Sequence, residues 1–223
     1  MTDFTTARAR MIDSQLRTEE VSEPAILGAM GEIPRERFVT ERGAALAYID
    51  RNVLIKDASA GAPARYLMRP AALGKLLQLA EIAETDKVLD VGTGTGYSAA
   101  VLARIAASVI ALECDEELAR TASALLAEFA AAKVRVVRGP LEAGALAEAP
   151  YDVIVLEGAV ELVPQALFDQ LAEGGRLVAV IGNGGSALGT LYTKTDGDIG
   201  RRPAFNANAR PLPGFERPKS FVF

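Results

Sequence analysis

From residue 87 onward, short apolar runs alternate with longer stretches whose apolar residues recur at helical spacing. The runs Lys87–Val91, Val109–Glu113, Val134–Arg138, Tyr151–Leu156 and Arg176–Ile181 are apolar on both faces, as strands buried inside a parallel sheet must be. Tyr97–Ala106, Glu116–Phe129 and Pro164–Leu171 read as the helices between them. In the second of these, Leu118, Ala122, Leu125, Leu126 and Phe129 share one stripe, which marks a core-facing side. Strand–helix alternation of this kind predicts an α/β fold, with a doubly wound, mostly parallel sheet and right-handed crossovers. Before residue 87 the pattern is helical. A helix is expected over Thr6–Leu16 with Arg8, Arg10 and Arg17 exposed. A second starts at Ser22-Glu23-Pro24 and runs through Ala25–Met30, since proline is tolerated in a first turn. Ile33–Phe38 and Pro70–Leu79 follow. Residues 53–68, broken by Gly61 and Pro63, are expected to be irregular. Beyond residue 181, a strand is expected at Thr190–Thr193. The proline-containing tail Arg202–Phe223, ending Ser-Phe-Val-Phe, is expected to form a late edge strand. No repeat or linker divides the chain. One domain is expected, with an N-terminal region (1–70), a core (71–182) and a C-terminal region (183–223).

The most informative segment is Val88-Leu89-Asp90-Val91-Gly92-Thr93-Gly94-Thr95-Gly96-Tyr97, a strand, a glycine turn and a helix start. Such a turn lies at the carboxyl edge of a doubly wound sheet, where cofactors bind. A dinucleotide loop would carry G-x-G-x-x-G, and Tyr97 occupies the position of its third glycine. The pattern G-x-G-x-G, with Asp90 two residues ahead, resembles the loop of class I S-adenosylmethionine methyltransferases. That cofactor has no phosphate, so the loop must fit an amino-acid tail and a ribose. A second acid is then needed at the end of the next strand to accept from the ribose hydroxyls. Glu113, after Val109–Leu112, stands there; otherwise it is an ordinary first-turn helix acid. Cys114 beside it reads as a small apolar residue near the cofactor.

The chain has 223 residues, is 50% hydrophobic and carries a formal charge of −5. It can therefore bury a substantial core, and the acidic balance argues against a general nucleic-acid binder. The single cysteine allows no disulfide framework or cysteine-based metal site. No run is long and apolar enough for a membrane span, and no signal-peptide pattern is present, so a cytoplasmic protein without membrane partners is expected. There is no histidine. This excludes a Ser-His-Asp triad, HExxH and any histidine metal ligand. Methyl transfer from a sulfonium tolerates that absence, because alignment is its main requirement.

Further segments point to one family. Met11-Ile12-Asp13-Ser14-Gln15-Leu16-Arg17, Ile33-Pro34-Arg35-Glu36-Arg37-Phe38-Val39, Ala47-Tyr48-Ile49-Asp50 and Ala149-Pro150-Tyr151-Asp152 all resemble the protein-L-isoaspartate O-methyltransferases. So do the glycine loop with Ala99–Ala103, Pro164–Leu167 and Gly174–Val178. The resemblance runs from about Met11 to Gly182. It implies a Rossmann-like methyltransferase fold with N-terminal helices and S-adenosylmethionine as cofactor, with S-adenosylhomocysteine as product. It implies a peptide or protein carboxylate as acceptor: the isoaspartyl ester would cyclise to a succinimide and so permit repair. The cofactor site is expected to comprise Asp90, Gly92, Thr93, Gly94, Gly96, Tyr97, Glu113, Cys114, Gly139 and Leu141. No metal is expected.

Three departures fall on polar positions. The family's acceptor serine in "TIS-x-P" becomes Met68, followed by Arg69 and Pro70. Its "GDG" becomes Gly139-Pro140-Leu141, which removes a carboxylate near the adenine and a backbone N–H. Its "VTAA" becomes Leu156-Glu157-Gly158-Ala159. Met68, Arg69 and Glu157 are thus the acceptor-side candidates. Arg69 is suited to an anionic acceptor and Glu157 to orienting or deprotonating a neutral one; the alternative is that the two pair with each other or meet solvent. A different acceptor, or a non-catalytic binding role, remains open on these residues, and the sequence points to no particular oligomeric state.

Overall fold

The computed structural model describes residues 3–130 and 132–217. Its centre is a seven-stranded sheet built from β3 (Lys87–Val91), β4 (Ser108–Glu113), β5 (Val134–Arg138), β6 (Tyr151–Val160), β7 (Leu171–Ile181), β8 (Leu188–Thr195) and β9 (Asp198–Asn206), in the spatial order β5-β4-β3-β6-β7-β8-β9. The first five of these in space are parallel; β8 and β9 add antiparallel. Strand order reverses at β3, which pairs with β4 on one side and β6 on the other, and that reversal opens the crevice where ligands of such sheets bind.

Side-chain alternation separates the sheet's two faces. Val88, Val109, Val153, Val155 and Val178 pack with α3 (Pro70–Leu79), α4 (Tyr97–Ile105) and α5 (Glu116–Phe129). Leu89, Ile110, Ile154 and Leu177 form the other face. There the cover is thinner: the short α6 (Gln165–Asp169), Leu141 and the C-terminal residues Leu212 and Phe215. In α5 the expected stripe holds, with Leu118, Ala122 and Leu126 buried and Leu125 and Phe129 partly so.

The N-terminal helices α1 (Phe4–Met11), continued by a π-helical turn over Ile12–Leu16, and α2 (Pro24–Glu32) join the first face. Arg8 was expected in solvent; it instead donates to the Tyr48 hydroxyl at 2.9 Å and the Glu32 carbonyl at 3.0 Å, tying α1 to the end of α2 and to the segment that carries Tyr48. Residues 53–68 are not irregular. Val53–Lys56 (β1) and Arg65–Leu67 (β2) form an antiparallel hairpin, too short for its alternation to register as a strand signal. The strand expected at Thr190–Thr193 lies within β8. The edge strand is β9, which takes in residues 202–206 at the start of the expected tail and is set by a two-residue turn, Asp196-Gly197, with both residues at positive φ. The Ser-Phe-Val-Phe ending lies outside the described residues. Among the described residues, no helix is long and apolar enough to cross a membrane.

Candidate active site

The turn Gly92–Gly96 leaves β3 and opens α4. Its first and third glycines have φ of 82° and 96°. The third serves packing: a Cβ on Gly96 would stand 3.0 Å from Leu126, so the glycine lets α5 close on α4. The first two face the crevice, and their open sides are filled. A Cβ on Gly92 would meet Leu212 Cδ2 at 2.7 Å, and one on Gly94 would meet Ile55 Cδ1 at 2.7 Å. Leu212 is fixed there because its N–H donates to the Ala159 carbonyl while the Ala159 N–H donates to the Arg210 carbonyl, both at 2.9 Å.

Glu113 ends β4, fully buried. Arg65 of β2 reaches it with both guanidinium arms, Nη1 to Oε1 at 2.5 Å and Nη2 to Oε2 at 2.9 Å. The backbone N–H groups of Gly94, Cys114 and Asp115 donate to the same carboxylate at 2.8, 3.0 and 3.0 Å. The Cys114 thiol adds a weak sixth contact at 3.5 Å; a carboxylate offers about four lone-pair sites, and these donors use them. Arg65 went unremarked in the sequence, since it lay in a stretch expected to be irregular. Beside it, Lys56 of β1 binds Asp115 at 2.7 Å and Glu117 at 2.9 Å.

On the other side of β3 the situation differs. Asp90 is fully buried; its Oδ2 accepts from Ser98 at 2.7 Å, and its Oδ1 has no partner among the described residues. Glu157 projects where β6 carries two more residues than β7 between the pairs Val155–Val178 and Ala159–Val180. It follows Leu156, the partner of Val91, and so lies beside the glycine turn. Its Oε1 is also buried without a partner among the described residues. Burial pushes Asp90 up to about 6, against the pull of the Thr93 and Ser98 hydroxyls. Burial, and then the charge of Asp90, push Glu157 well above the usual carboxylate range, with Arg35 opposing. Arg35 is itself wholly buried, donating to the carbonyls of Ala47 at 2.7 Å and Met68 at 2.5 Å and lying 4.7 Å over the Tyr97 ring. The sequence displayed it inside a motif without indicating this role.

Asp90, Gly92, Thr93, Gly94, Glu113 and Glu157 therefore gather at the carboxyl edge. Gly139 closes under it, its N–H donating to the Glu113 carbonyl at 3.1 Å, and Leu141 packs beneath Gly92. Three expected residues turn elsewhere. The Tyr97 ring enters the core against Phe38, with centroids 5.7 Å apart, because helix α4 points it inward. The Met68 side chain is 3% exposed and belongs to the hydrophobic core, so only its carbonyl has polar work. Arg69 does not pair with Glu157; it binds Asp50 at 3.0 Å. Cys114 lies 3.6 Å from Arg65, and burial raises its thiol pKa, which suits a packing residue.

A doubly wound sheet with a glycine turn at its reversal, an acid ending β4 on one side and an acid within β6 on the other is a Rossmann-like methyltransferase architecture. The profile of the protein-L-isoaspartate(D-aspartate) O-methyltransferases matches residues 7–206, and the chain belongs to that family. It is 42% identical over 216 residues to the Koribacter versatilis protein-L-isoaspartate O-methyltransferase, covering 96% of this chain and 94% of that one. The Gloeobacter violaceus enzyme of the same name is 38% identical, covering 91% and 96%. A solved protein-L-isoaspartate O-methyltransferase superposes with a TM-score of 0.81 at 27% identity, over 93% of this chain and 66% of that one. A Plasmodium falciparum chain in complex with S-adenosyl-L-homocysteine shares the fold, with a TM-score of 0.75 at 18% identity over 95% of this chain and 99% of that one.

Proposed function

We propose that the chain is an S-adenosylmethionine-dependent O-methyltransferase whose acceptor is a carboxylate of a damaged aspartyl residue in a protein. The family match across residues 7–206 carries this reading. In it, Glu113 takes the ribose, Asp90 and the turn Gly92–Gly94 take the amino-acid tail, and Cys114, Gly139 and Leu141 border the adenine. The residues fit that group in kind. The unpartnered buried oxygens of Asp90 and Glu157 are a polar demand that a ligand can meet. Glu113 is of the right chemistry, and Arg65 stands on the oxygens the ribose would use. When bound, the cofactor supplies a methyl group already activated on a sulfonium sulfur.

The chain's own groups then have only to place the acceptor. A carboxylate is ionised at neutral pH and needs no base, so the missing histidine is no obstacle. A cavity of about 330 Å³ is lined by Asp50, Arg51, Asn52, Arg69, Asn208 and Arg210. Its three arginines outweigh one aspartate in a chain that is acidic overall, which suits an anionic group. Arg210 connects this cavity to β6 through its carbonyl bond to Ala159. Burial holds the Glu157 carboxyl well above the usual carboxylate range, which lessens its repulsion of an approaching carboxylate. The test is transfer of labelled methyl from S-adenosylmethionine to an isoaspartyl peptide, with the aspartyl peptide as control. Base-labile label on the isoaspartyl peptide alone is expected; no label from folded protein overturns the acceptor assignment.

A further inference from the structure

Arg65 and Lys56 are direct cross-strand partners in the β1–β2 hairpin. Two cations so placed repel each other. They are held side by side because three acids at the end of β4 and the start of α5 receive them: Glu113 takes Arg65, and Asp115 and Glu117 take Lys56. The same hairpin lays Ile55 over Gly94. It is therefore a strap across the carboxyl edge, fastened by charge at the carboxylate that the cofactor reading gives to the ribose.

We infer that Arg65 is an internal competitor for the cofactor's ribose, and that the hairpin must release Glu113 before ribose hydroxyls can take it. The inference rests on the cofactor reading under the proposed function. All acceptor capacity of Glu113 is in use, so a ribose hydroxyl can bind only by displacing a donor. Three of the donors are backbone N–H groups fixed by the turn and the start of α5, and the Cys114 thiol is a weak fourth on that same segment. Only the two arms of Arg65 belong to a separate element. The exchange replaces a bidentate cation–carboxylate pair with hydroxyl donors that carry no charge, and two buried opposite charges attract more strongly than a charge and a neutral donor. The resting protein consequently holds its cofactor weakly, and Arg65 sets that affinity. Arg65 is thus an affinity-determining residue that need never touch the reacting atoms.

The measurement is calorimetric titration of the full chain with S-adenosylhomocysteine, comparing wild type, Arg65→Ala and Arg65→Lys, with circular dichroism to establish that each is folded. Arg65→Ala is expected to bind at least about tenfold tighter than wild type, a change of about 1.4 kcal/mol. Arg65→Lys should fall between them, because one ammonium cannot span both oxygens. If Arg65→Ala does not fold, Arg65→Lys against wild type carries the same comparison. Equal or weaker binding by the folded variants overturns the competition while leaving the cofactor reading in place. No binding to wild type or variant at millimolar ligand overturns the cofactor reading and the competition with it.

Discussion

Glu113 and Glu157 flank β3 at the same edge of the same sheet, both buried, and their surroundings differ in sign. Glu113 receives both arms of a guanidinium, three backbone N–H groups and the Cys114 thiol. Glu157 and its neighbour Asp90 have between them the hydroxyls of Ser98 and Thr93 and the influence of Arg35, and each keeps a buried oxygen without a partner among the described residues. Burying an unmatched carboxylate is costly, and that cost raises the affinity of both acids for a proton. One half of the crevice is thus closed by the protein's own charges, and the other is left short of donors. Preserved sequence motifs cannot reveal such a difference: Glu113 matches expectation as a residue, and its state is decided by an arginine 48 positions away.

The largest effect should come from breaking the satisfied side. Glu113→Ala leaves the Arg65 guanidinium, only 6% exposed, in the protein without its counter-ion. Removing one partner of a buried pair typically costs about 3–5 kcal/mol. Urea denaturation should show a loss of that order. A loss well under about 1 kcal/mol would mean that Arg65 reaches solvent freely, and the contrast with Glu157 would lose its basis.

On the unsatisfied side the same kind of deletion should cost less. Ser98→Ala removes the hydroxyl that donates to Asp90 at 2.7 Å. A hydrogen bond to a charged group contributes about 1.5–3 kcal/mol, so a destabilisation near the lower end is expected at pH 8, where Asp90 is ionised. It should shrink at pH 4.5, where Asp90 holds its proton. A loss independent of pH would assign Ser98 to packing alone.

The sheet was legible because parallel strands buried on both faces leave unbroken apolar runs, and the glycine turn located the reversal between them. Glu113 was legible from its place after the second strand. The hairpin was not. β1 and β2 have four and three residues and sit among polar residues with Gly61 and Pro63 between them, so no period could develop. Arg65 was invisible for the same reason: a charged residue in an apparent loop reads as solvent-facing. The direction of the Tyr97 and Met68 side chains was not legible, because adjacency to a motif does not say which way a side chain turns. Tyr97 starts a helix whose inner side faces Phe38 and Arg35, and Met68 follows β2 into the core. Arg35 stood in view within its motif, but only the fold brings the carbonyls of Ala47 and Met68 to it.

The smallest expected effect has the opposite sign. Asp90 and Glu157 both hold their protons more tightly in the folded chain than in the unfolded one. Between the unfolded values near pH 4 and the raised folded values, the native state binds protons the unfolded state has released, so stability falls as pH rises. The favourable contribution is complete below about pH 4 and is lost as pH climbs through the folded values, which for Asp90 means about 6. Glu157→Gln removes one of these acids and its repulsion of the other. It should therefore stabilise the protein at pH 8, by about 1 kcal/mol on the usual scale of single substitutions, and have little effect at pH 4. The decline in stability between those pH values should also become shallower than in wild type. Thermal unfolding at the two pH values reads both effects. A loss at pH 8 would instead mean that Glu157 is ionised there and that Arg35, 0% exposed and favourably charged toward it, is its true counter-ion. The two sides of β3 would then be alike, each an acid held by a buried arginine.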